Sequence, residues 1–491
     1  MDFLPFIPGD ESEDSRPLAR FLPPVAGGVS AAFLDRHAVT GEWVLDPFGA
    51  APALDVEMAR AGKSVLVAIN NPVTRLLLEL TATPPSIEEL RAALSELAAT
   101  RKGEERLETH LQSLYLTTCS KCQRQVPAGA FIWEKGASVP SGRIFRCPCG
   151  EGGEFPAADA DLERATRITA TDSLHRARAL ERVAAPDDPD RHYADQALEC
   201  YLPRAVYALI TIINKLDSFS LSLPKERRRA LLALILAACD EASALWPHPT
   251  ERPRPKQLTV PPRFLEKNVW LALERAVNRW GAEPPVPTSD WAAASPDGGS
   301  PEVRHAAGGV YVFEGPVRAL VPALKALQPG AVVTALPRPN QAFWTLSALW
   351  AGWLWGRAAA APFKSVLRRR RYDWNWHTAA LYAALKNVSS DLPLNTPLFA
   401  LLAEPEPAFL SAALLAAAGA GFDLEGLALR TRHDAVQITW RRRAFLRDEK
   451  EPPEIDPLSV REALEASLRQ RGESVPYLHL HAAGLSAMAA D

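Results

Sequence analysis

Four of the six cysteines in this 491-residue chain lie in two close pairs, a pattern typical of metal binding. Cys119 and Cys122 are separated by Ser-Lys, and 24 residues later Cys147 and Cys149 are separated by a single proline. Four thiolates in two pairs suit tetrahedral zinc. Because four sulfurs leave no open coordination position, such a zinc would be structural rather than catalytic. The alternative interpretation is that these are buried free thiols.

The cysteines fall between two segments that alternate strand and helix patterns. Residues 43–46 and 64–70 are predicted to be buried strands flanking helix 52–62, and the same alternation resumes after Gly309. Helices are predicted between these segments, over 158–186, 197–218, 223–246 and 263–281. The predicted units are the first half of an α/β domain (1–118), a zinc ribbon (119–155), a helical insertion (156–300), the second half of the α/β domain (301–447) and a helical tail (448–491).

Composition places the chain among soluble globular proteins, with 47% hydrophobic and 23% charged residues. The net charge of -3 gives no global basic signature, so any nucleic-acid binding must come from local patches. The apolar run from Ala342 to Gly356 is shorter than the ~20 residues that a bilayer requires, which favours a buried helix over a membrane span. The first residues lack a basic region followed by an apolar core, so a signal peptide is not expected. Six cysteines, four of them closely grouped, indicate metal binding in a reducing cytoplasm rather than a disulfide framework. Cys200 and Cys239 lie in apolar helical patterns and are expected in the core.

Several motifs resemble those of the zinc-ribbon-containing, adenine-specific DNA amino-methyltransferases. "VLDPFG" at 44–49 resembles the first cofactor motif, Glu57 stands where the following helix carries a glutamate, and Asn71-Pro72 match the stretch after the second strand. "LSALWAGWLWGR", "AGFDL" and "ITWRRR" resemble later parts of the sheet domain. The resemblance covers most of residues 15–447. It implies an α/β fold with a Rossmann-like methyltransferase sheet, an inserted zinc ribbon and an all-α region. It also implies methyl transfer from S-adenosylmethionine to a base flipped out of DNA, with target recognition by the helical insertion 156–300.

The cofactor loop departs from the family pattern. Where the resemblance expects further glycines, this chain has Ala50 and Pro52, and Ile69 replaces the acidic residue that would bind the ribose. Glycine is used in such loops because the backbone must adopt positive φ and approach the ligand closely. Pro52 also suits the first position of a helix. The cofactor candidates carried over from the resemblance are Asp46, Phe48, Gly49, Asn70 and Asn71.

The catalytic loop departs further. The resemblance implies Asp or Asn, two prolines and an aromatic residue directly after a strand that ends in threonine. Here Thr334 is followed by Ala335, Leu336, Pro337 and Arg338. An acceptor is needed to orient the target amine and an aromatic ring to stack on the base, and neither Ala335 nor Arg338 supplies them. A shifted loop would instead present Asn340 and Phe343, although aromatic residues entering a helix more often belong to the core.

Basic runs with neighbouring aromatic residues suggest a nucleic-acid-binding face. Arg368, Arg369, Arg370 and Arg371 precede Tyr372, Trp374 and Trp376, and further runs stand at 225–229, 252–256 and 440–443. Arginines contact phosphates and aromatic rings stack on bases. The alternative is that each run is a solvated helix end or edge strand.

Two functional hypotheses follow from these patterns. The first is a methyltransferase homologue that is catalytically impaired or inactive and binds DNA or a partner chain, such as a second methyltransferase or a complex subunit. The second is an active DNA N6-adenine or N4-cytosine methyltransferase with an atypical loop. Degeneration of both the cofactor loop and the catalytic loop favours the first. A purely structural subunit without nucleic acid is a third possibility.

Overall fold

The computed structural model describes most of the chain. The described residues are 6–11, 14–37, 43–219, 223–250, 254–281, 283–292, 300–301, 305, 307–368, 373–430, 434–443 and 457–490.

The strands, in chain order, are β1 Trp43–Asp46, β2 Ser64–Ile69, β3 Arg101–Lys102, β4 Glu105–Arg106, β5 Leu116–Thr118, β6 Gln125–Glu134, β7 Gly142–Arg146, β8 Gly152–Pro156, β9 Arg263–Lys267, β10 Thr288–Ala292, β11 Ser300–Pro301, β12 Gly309–Glu314, β13 Ala331–Ala335, β14 Pro397–Leu402, β15 Phe422–Ala428 and β16 Val436–Arg442.

The helices are α1 Val29–Arg36, α2 Pro52–Arg60, α3 Pro72–Ala82, α4 Ile87–Ala99, α5 Leu107–Ser113, α6 Asp159–Thr169, α7 Asp172–Glu181, α8 Arg191–Leu198, α9 Pro203–Phe219, α10 Lys225–Glu241, α11 Val269–Ala276, α12 Val321–Leu327, α13 Gln341–Trp355, α14 Arg357–Ala360, α15 Trp374–Ser389, α16 Pro407–Gly419, α17 Pro457–Arg471 and α18 Tyr477–Ala490. Short 3-10 turns cover Ala19–Phe21, Val317–Ala319 and Ala361–Arg368.

A large, mostly parallel sheet forms the centre of the fold. Among the described residues its strand order is β11-β10-β12-β2-β1-β13-β14-β16-β15. The strands from β10 to β14 in this order run parallel, whereas β16 is antiparallel to both β14 and β15. β1, β2 and β13 are buried along their whole length, as expected for parallel strands covered on both faces. The predicted mixed α/β class is therefore confirmed.

Alternating side chains of the sheet pack into two separate cores. Val44 packs in a cluster with Phe33 of α1 and Leu54 of α2 on one face. Leu45 packs in a cluster with Leu381 of α15 and Phe409 of α16 on the other. Because neighbouring side chains of a strand point to opposite faces, a four-residue strand such as β1 serves both cores.

The parallel arrangement brings the loops after β1, β2, β13 and β14 to one border of the sheet, called here the carboxyl edge. Ligands of open α/β sheets bind at this edge, where the direction of strand order changes. In this chain the change falls between β1 and β13, which are paired through Val44 and Ala331. The edge therefore places the loop that follows β1, where the sequence predicts a cofactor, beside the loop that follows β13.

Residues 119–155, called here the cysteine module, belong to a second, antiparallel sheet. Within the described residues this sheet is made of β5, β6, β7, β8 and β9. Strand β9 lies in the predicted helix 263–281, so that prediction is wrong for residues 263–267. Phe264 and Glu266 are buried while their neighbours are partly exposed, and this period of two matches a strand. The helix begins later, at Val269, where the Asn268 side chain accepts from the Trp270 amide at 3.0 Å.

The helical layer is built around α9, α10 and α13, which share one hydrophobic core with the small sheet. The predicted helix 158–186 is divided between α6 and α7. The predicted buried helix at 342–356 is confirmed as α13: the Trp350 indole donates to the Tyr201 hydroxyl at 2.7 Å, and the Trp353 indole donates to the Ala179 carbonyl at 3.1 Å. No helix in the described ranges has the length and apolar character needed to cross a membrane.

Candidate functional site

The four predicted metal ligands converge on one point. The Cys119, Cys122, Cys147 and Cys149 sulfurs all lie within 4.8 Å of one another. The Cys119 and Cys149 sulfurs are 3.7 Å apart, and those of Cys122 and Cys147 are 3.5 Å apart. Tetrahedral zinc with Zn–S distances of about 2.3 Å requires sulfurs about 3.8 Å apart. The four thiols therefore fit a metal ion such as zinc.

Tight turns follow both cysteine pairs, and backbone amides favour the thiolate form of Cys119. Gln123 adopts φ 60° and Gly150 adopts φ 93°, so both chain turns close tightly behind their cysteine pairs. The backbone amides of Cys122 and Lys121 hydrogen-bond the Cys119 sulfur and lower the pKa of that thiol to about 7. These amides favour the thiolate, which is the form that binds metal. Cys200 and Cys239 are buried in the helical core, as predicted.

Asp46, at the end of β1, organises the cofactor loop from inside the protein. Its Oδ1 atom accepts hydrogen bonds from the Phe48 amide at 2.9 Å and the Gly49 amide at 3.1 Å. The Thr334 hydroxyl of β13 donates to the same atom at 2.6 Å. Asp46 is fully buried, so it holds the loop to the neighbouring strand rather than presenting a carboxylate to a ligand.

A second carboxyl group, Asp55 of α2, is fully buried beside Asp46, and its two oxygens accept no hydrogen bond from a described donor. Burial and the charge of Asp46 raise the pKa of Asp55 well above its ordinary value. Burial also raises the pKa of Asp46, although the hydrogen bond from Thr334 opposes this effect. Two carboxyl groups buried side by side do not both ionise readily, and we assign the proton to Asp55.

Gly49 is held by packing against β2. A Cβ atom at this position would lie 2.6 Å from Ile69 Cγ1 and 2.9 Å from Val67 Cγ1, and the backbone has φ +52°. Glycine is thus required by the contact with the neighbouring strand, independently of any ligand. Pro52 stands at the first position of α2, which is the structural role open to it from the sequence.

Of the remaining residues of the predicted cofactor site, Asn70 is exposed, whereas Asn71 and Glu57 cap helices. The neighbouring Ile69 is 2% exposed and belongs to the core. The Asn71 side chain accepts from the Val73 amide at 3.0 Å and caps α3. Glu57 accepts from the Gly28 and Ala31 amides at 2.7 and 2.9 Å and so caps α1.

The loop after β13 has a basic residue at its centre. Ala335 and Leu336 are buried, so they present no group to a substrate. The Arg338 guanidinium donates to Glu404 at 3.1 Å and to Glu406 at 2.9 Å. Both carboxylates lie on the segment that follows β14, so this ion pairing closes one side of the carboxyl edge.

Asn340 and Phe343 have structural contacts. The Asn340 Oδ1 atom accepts from the Phe343 amide at 3.0 Å and caps α13. The Phe343 ring is 6% exposed and stacks on Phe21 with ring centroids 5.4 Å apart. The shifted-loop hypothesis therefore has to compete with a helix cap and a core contact.

One cavity of about 290 Å³ at the carboxyl edge brings the two loops together. The predicted cofactor residues Phe48, Gly49, Asn70 and Asn71 line it on one side. On the other side it is lined by Pro337 and Arg338 and by the predicted catalytic residues Asn340 and Phe343. The structure thus places residues separated by nearly 300 positions in the sequence around a single space, whereas Asp46 lies behind its wall.

The sequence did not indicate Glu404 as a residue of this cavity, and it indicated Trp376, Arg254 and Lys256 only as members of two separate basic runs. Arg254 Nε lies 3.2 Å from Glu404 Oε1, and Lys256 Nζ lies 3.8 Å from the same atom. A polar residue directly after the buried strand β14 is the signal that could have indicated Glu404, since loops at this edge carry ligand contacts.

The other predicted basic patches are largely neutralised. Arg368 forms an ion pair with Asp190, in which Nη2 lies 3.0 Å from Oδ2, while Arg369, Arg370, Arg371 and Tyr372 lie outside the described residues. Arg227 pairs with Glu89 and Glu96. Arg441 and Arg443 pair with Glu425 and Asp423, respectively. Trp374 stacks on Phe409 with centroids 5.6 Å apart, so it contributes to the sheet core.

Comparison with known proteins yields no relative. The chain matches no protein-family model, no curated protein and no solved structure.

Proposed function

We propose that this protein is a nucleic-acid-binding homologue of S-adenosylmethionine-dependent DNA amino-methyltransferases that does not itself transfer a methyl group. The observation that carries the proposal is the cavity at the carboxyl edge, where the cofactor-like loop meets a loop with Ala335 in place of the acceptor and Arg338 in place of the aromatic ring. The cavity combines the location of a methyltransferase site with side chains suited to an anion.

The arrangement of the strands supports the methyltransferase part of the proposal. The seven strands β1, β2, β12, β13, β14, β15 and β16 can be renumbered 1 to 7 in chain order. Their order across the sheet is then 3-2-1-4-5-7-6, and the seventh strand, β16, is antiparallel to both of its neighbours. This order resembles the Rossmann-like sheet of methyltransferases. Fold alone does not define activity, so the proposal for function depends on the cavity.

The side chains of the cavity support the loss of methyl transfer. Transfer to an exocyclic amine requires an acceptor beside the amine and a ring for the base. Residues 335–338 contain no carboxylate or amide, and the nearest amide, Asn340, already caps α13. On the cofactor side, Ile69 is buried where a ribose-binding carboxylate would be needed, and Asn70 offers a weaker amide.

The same cavity favours a nucleic-acid ligand. Arg254, Lys256 and Arg338 supply positive charge, while Trp344 and Trp376 supply partly exposed aromatic rings. Phosphates and bases need this combination of cations and ring faces. We further propose that the four-cysteine cluster holds a structural zinc in a zinc ribbon, because its sulfur spacing fits that ion.

Calorimetry with S-adenosylmethionine and a methyl-transfer assay on duplex DNA test the catalytic part. We expect no turnover and at most weak cofactor binding. Micromolar cofactor binding, together with methyl transfer that Asn340→Ala abolishes, would establish the active-methyltransferase alternative instead. Ser86→Ala is the matched control, because Ser86 also caps a helix, through a 3.1 Å bond from the Glu89 amide, but lies away from the cavity.

DNA affinity measured at several salt concentrations tests the binding part. We expect affinity to fall as salt rises, and Lys256→Ala to reduce the salt slope by about one. Lys325→Ala removes an exposed lysine from α12 and should leave the slope unchanged. Salt-independent or absent DNA binding would instead favour a purely structural subunit.

A further inference from the structure

Glu404 is placed at the cavity by an unfavourable backbone conformation. It lies just beyond the end of β14 and adopts φ 53°, in the left-handed region that residues other than glycine rarely occupy. Strained residues of this kind often mark ligand sites, where the surrounding contacts compensate for the strain. Here those contacts are ionic.

The Glu404 carboxylate is surrounded by cations from distant parts of the chain. Its Oε1 atom lies 3.2 Å from Arg254 Nε and 3.8 Å from Lys256 Nζ, and its Oε2 atom lies 3.1 Å from Arg338 Nη1. We call Arg254, Lys256 and Arg338 the cation cluster. It draws on the segment before β9 and on the loop after β13.

The cation cluster carries more positive charge than Glu404 can neutralise. Glu406 contributes through Arg338, whose Nη2 atom it contacts at 2.9 Å. Burial lowers the pKa of Arg254, and the nearby positive charge of Arg338 lowers it further, while Glu404 opposes both effects. Three cations thus face the two carboxylates of Glu404 and Glu406, and an anion of higher charge than a carboxylate in the place of Glu404 would balance them more fully.

We propose that the cation cluster is a binding site for a nucleotide phosphate and that Glu404 is a built-in competitor for that site. The Glu404 side chain is 28% exposed, so it can rotate towards solvent and leave its place to the phosphate. Phe48, Trp344 and Trp376 line the same cavity and offer ring faces for the attached base. A ligand with less negative charge than a phosphate would therefore not displace Glu404 from the cation cluster.

The inference rests on the proposed function for its choice of a nucleotide over other phosphate esters. The phosphate can belong to a free nucleotide or to a DNA strand, and both offer the same chemistry to the cluster. The experiment distinguishes these sources by using deoxyadenosine monophosphate and a single-stranded oligodeoxynucleotide as separate probes. Deoxyadenosine without phosphate shows whether the phosphate is the recognised group.

Calorimetry with wild-type protein and Glu404→Gln tests the proposal. We expect Glu404→Gln to bind deoxyadenosine monophosphate about five- to tenfold more tightly, because a competing charge is removed at a partly exposed site. Glu404→Gly removes the same charge and places glycine at the positive φ. Its affinity for deoxyadenosine monophosphate should rise by a similar factor, and its stability should be at least that of Glu404→Gln. Glu465→Gln makes the same change in net charge on α17, where Glu465 pairs with Arg461 and Arg469, and should match wild type.

The outcomes separate this inference from the proposed function. Unchanged, weaker or absent binding of deoxyadenosine monophosphate in both Glu404 variants would overturn the inference, as would equal binding of deoxyadenosine. A gain for the mononucleotide supports it, and a parallel gain for the oligonucleotide identifies a DNA strand as the source. If the mononucleotide gains affinity while duplex DNA fails to bind wild type, the phosphate site stands and the DNA-binding proposal fails.

Discussion

Replacing Gly49 with alanine tests whether the preserved glycine of the cofactor-like loop reflects packing rather than ligand binding. The added Cβ atom would meet Ile69 Cγ1 at 2.6 Å and Val67 Cγ1 at 2.9 Å. Both side chains belong to β2, a buried central strand that has little freedom to move. We expect the clash to cost about 1–3 kcal/mol in unfolding free energy, and the positive φ to add about 1 kcal/mol.

Gly62→Ala provides the matched control. Gly62 has φ +82°, and a Cβ atom there would meet nothing within 4 Å. This variant should therefore lose only the conformational contribution, about 1 kcal/mol. The difference between the two variants isolates the contact with β2 as about 1–3 kcal/mol.

Urea unfolding followed by tryptophan fluorescence measures both variants, without cofactor or nucleic acid. The packing argument is refuted if Gly49→Ala destabilises the protein no more than Gly62→Ala does. In that case the presence of Gly49 would again count as evidence for a cofactor that approaches the loop backbone. A larger loss for Gly49→Ala means that the glycine would be retained in a protein that binds no cofactor.

The remaining predictions concern the metal and the buried ionisable groups. Metal analysis should find about one zinc per chain, lost in Cys119→Ser; retention of zinc in this variant would contradict the four-sulfur site. Because the folded-state pKa of Asp55 is raised, the unfolded state binds fewer protons above about pH 4, so wild type should lose stability relative to Asp55→Asn as pH rises, by up to about 1.4 kcal/mol per unit. If the unfolding free energies of wild type and Asp55→Asn, measured by urea unfolding, change equally from pH 5 to 8, the pKa of Asp55 is not raised. Burial lowers the pKa of His377 to about 4, so the unfolded state binds more protons below about pH 6.5 and stability should fall as pH drops from there towards 4. His377→Leu should remove this part of the acid sensitivity in the same assay, and an unchanged acid limb would exclude His377 as its source.

Local sequence patterns were sufficient to predict many of the helices and strands and the four candidate metal ligands. Pro52 was expected to suit the first position of a helix and stands at the start of α2, because helix starts depend on residues within one turn. The cysteine pairs indicated their own convergence for a similar reason: each pair sits on one tight turn, and a four-sulfur site needs only two such turns to meet. Strand β9 was missed because its short alternating pattern merges with the apolar helix that follows it.

The cavity, by contrast, was decided by the tertiary structure. The sequence alone indicated two degenerate loops and several basic runs of apparently equal standing. Folding pairs Arg227, Arg441 and Arg443 with carboxylates and buries Asp46, while it brings Arg254, Lys256 and Arg338 around Glu404. Which charges neutralise one another depends on contacts between residues far apart in the chain, such as Arg254 and Glu404. No local pattern encodes those contacts, because they arise only when the parallel strands bring their carboxyl ends to one edge.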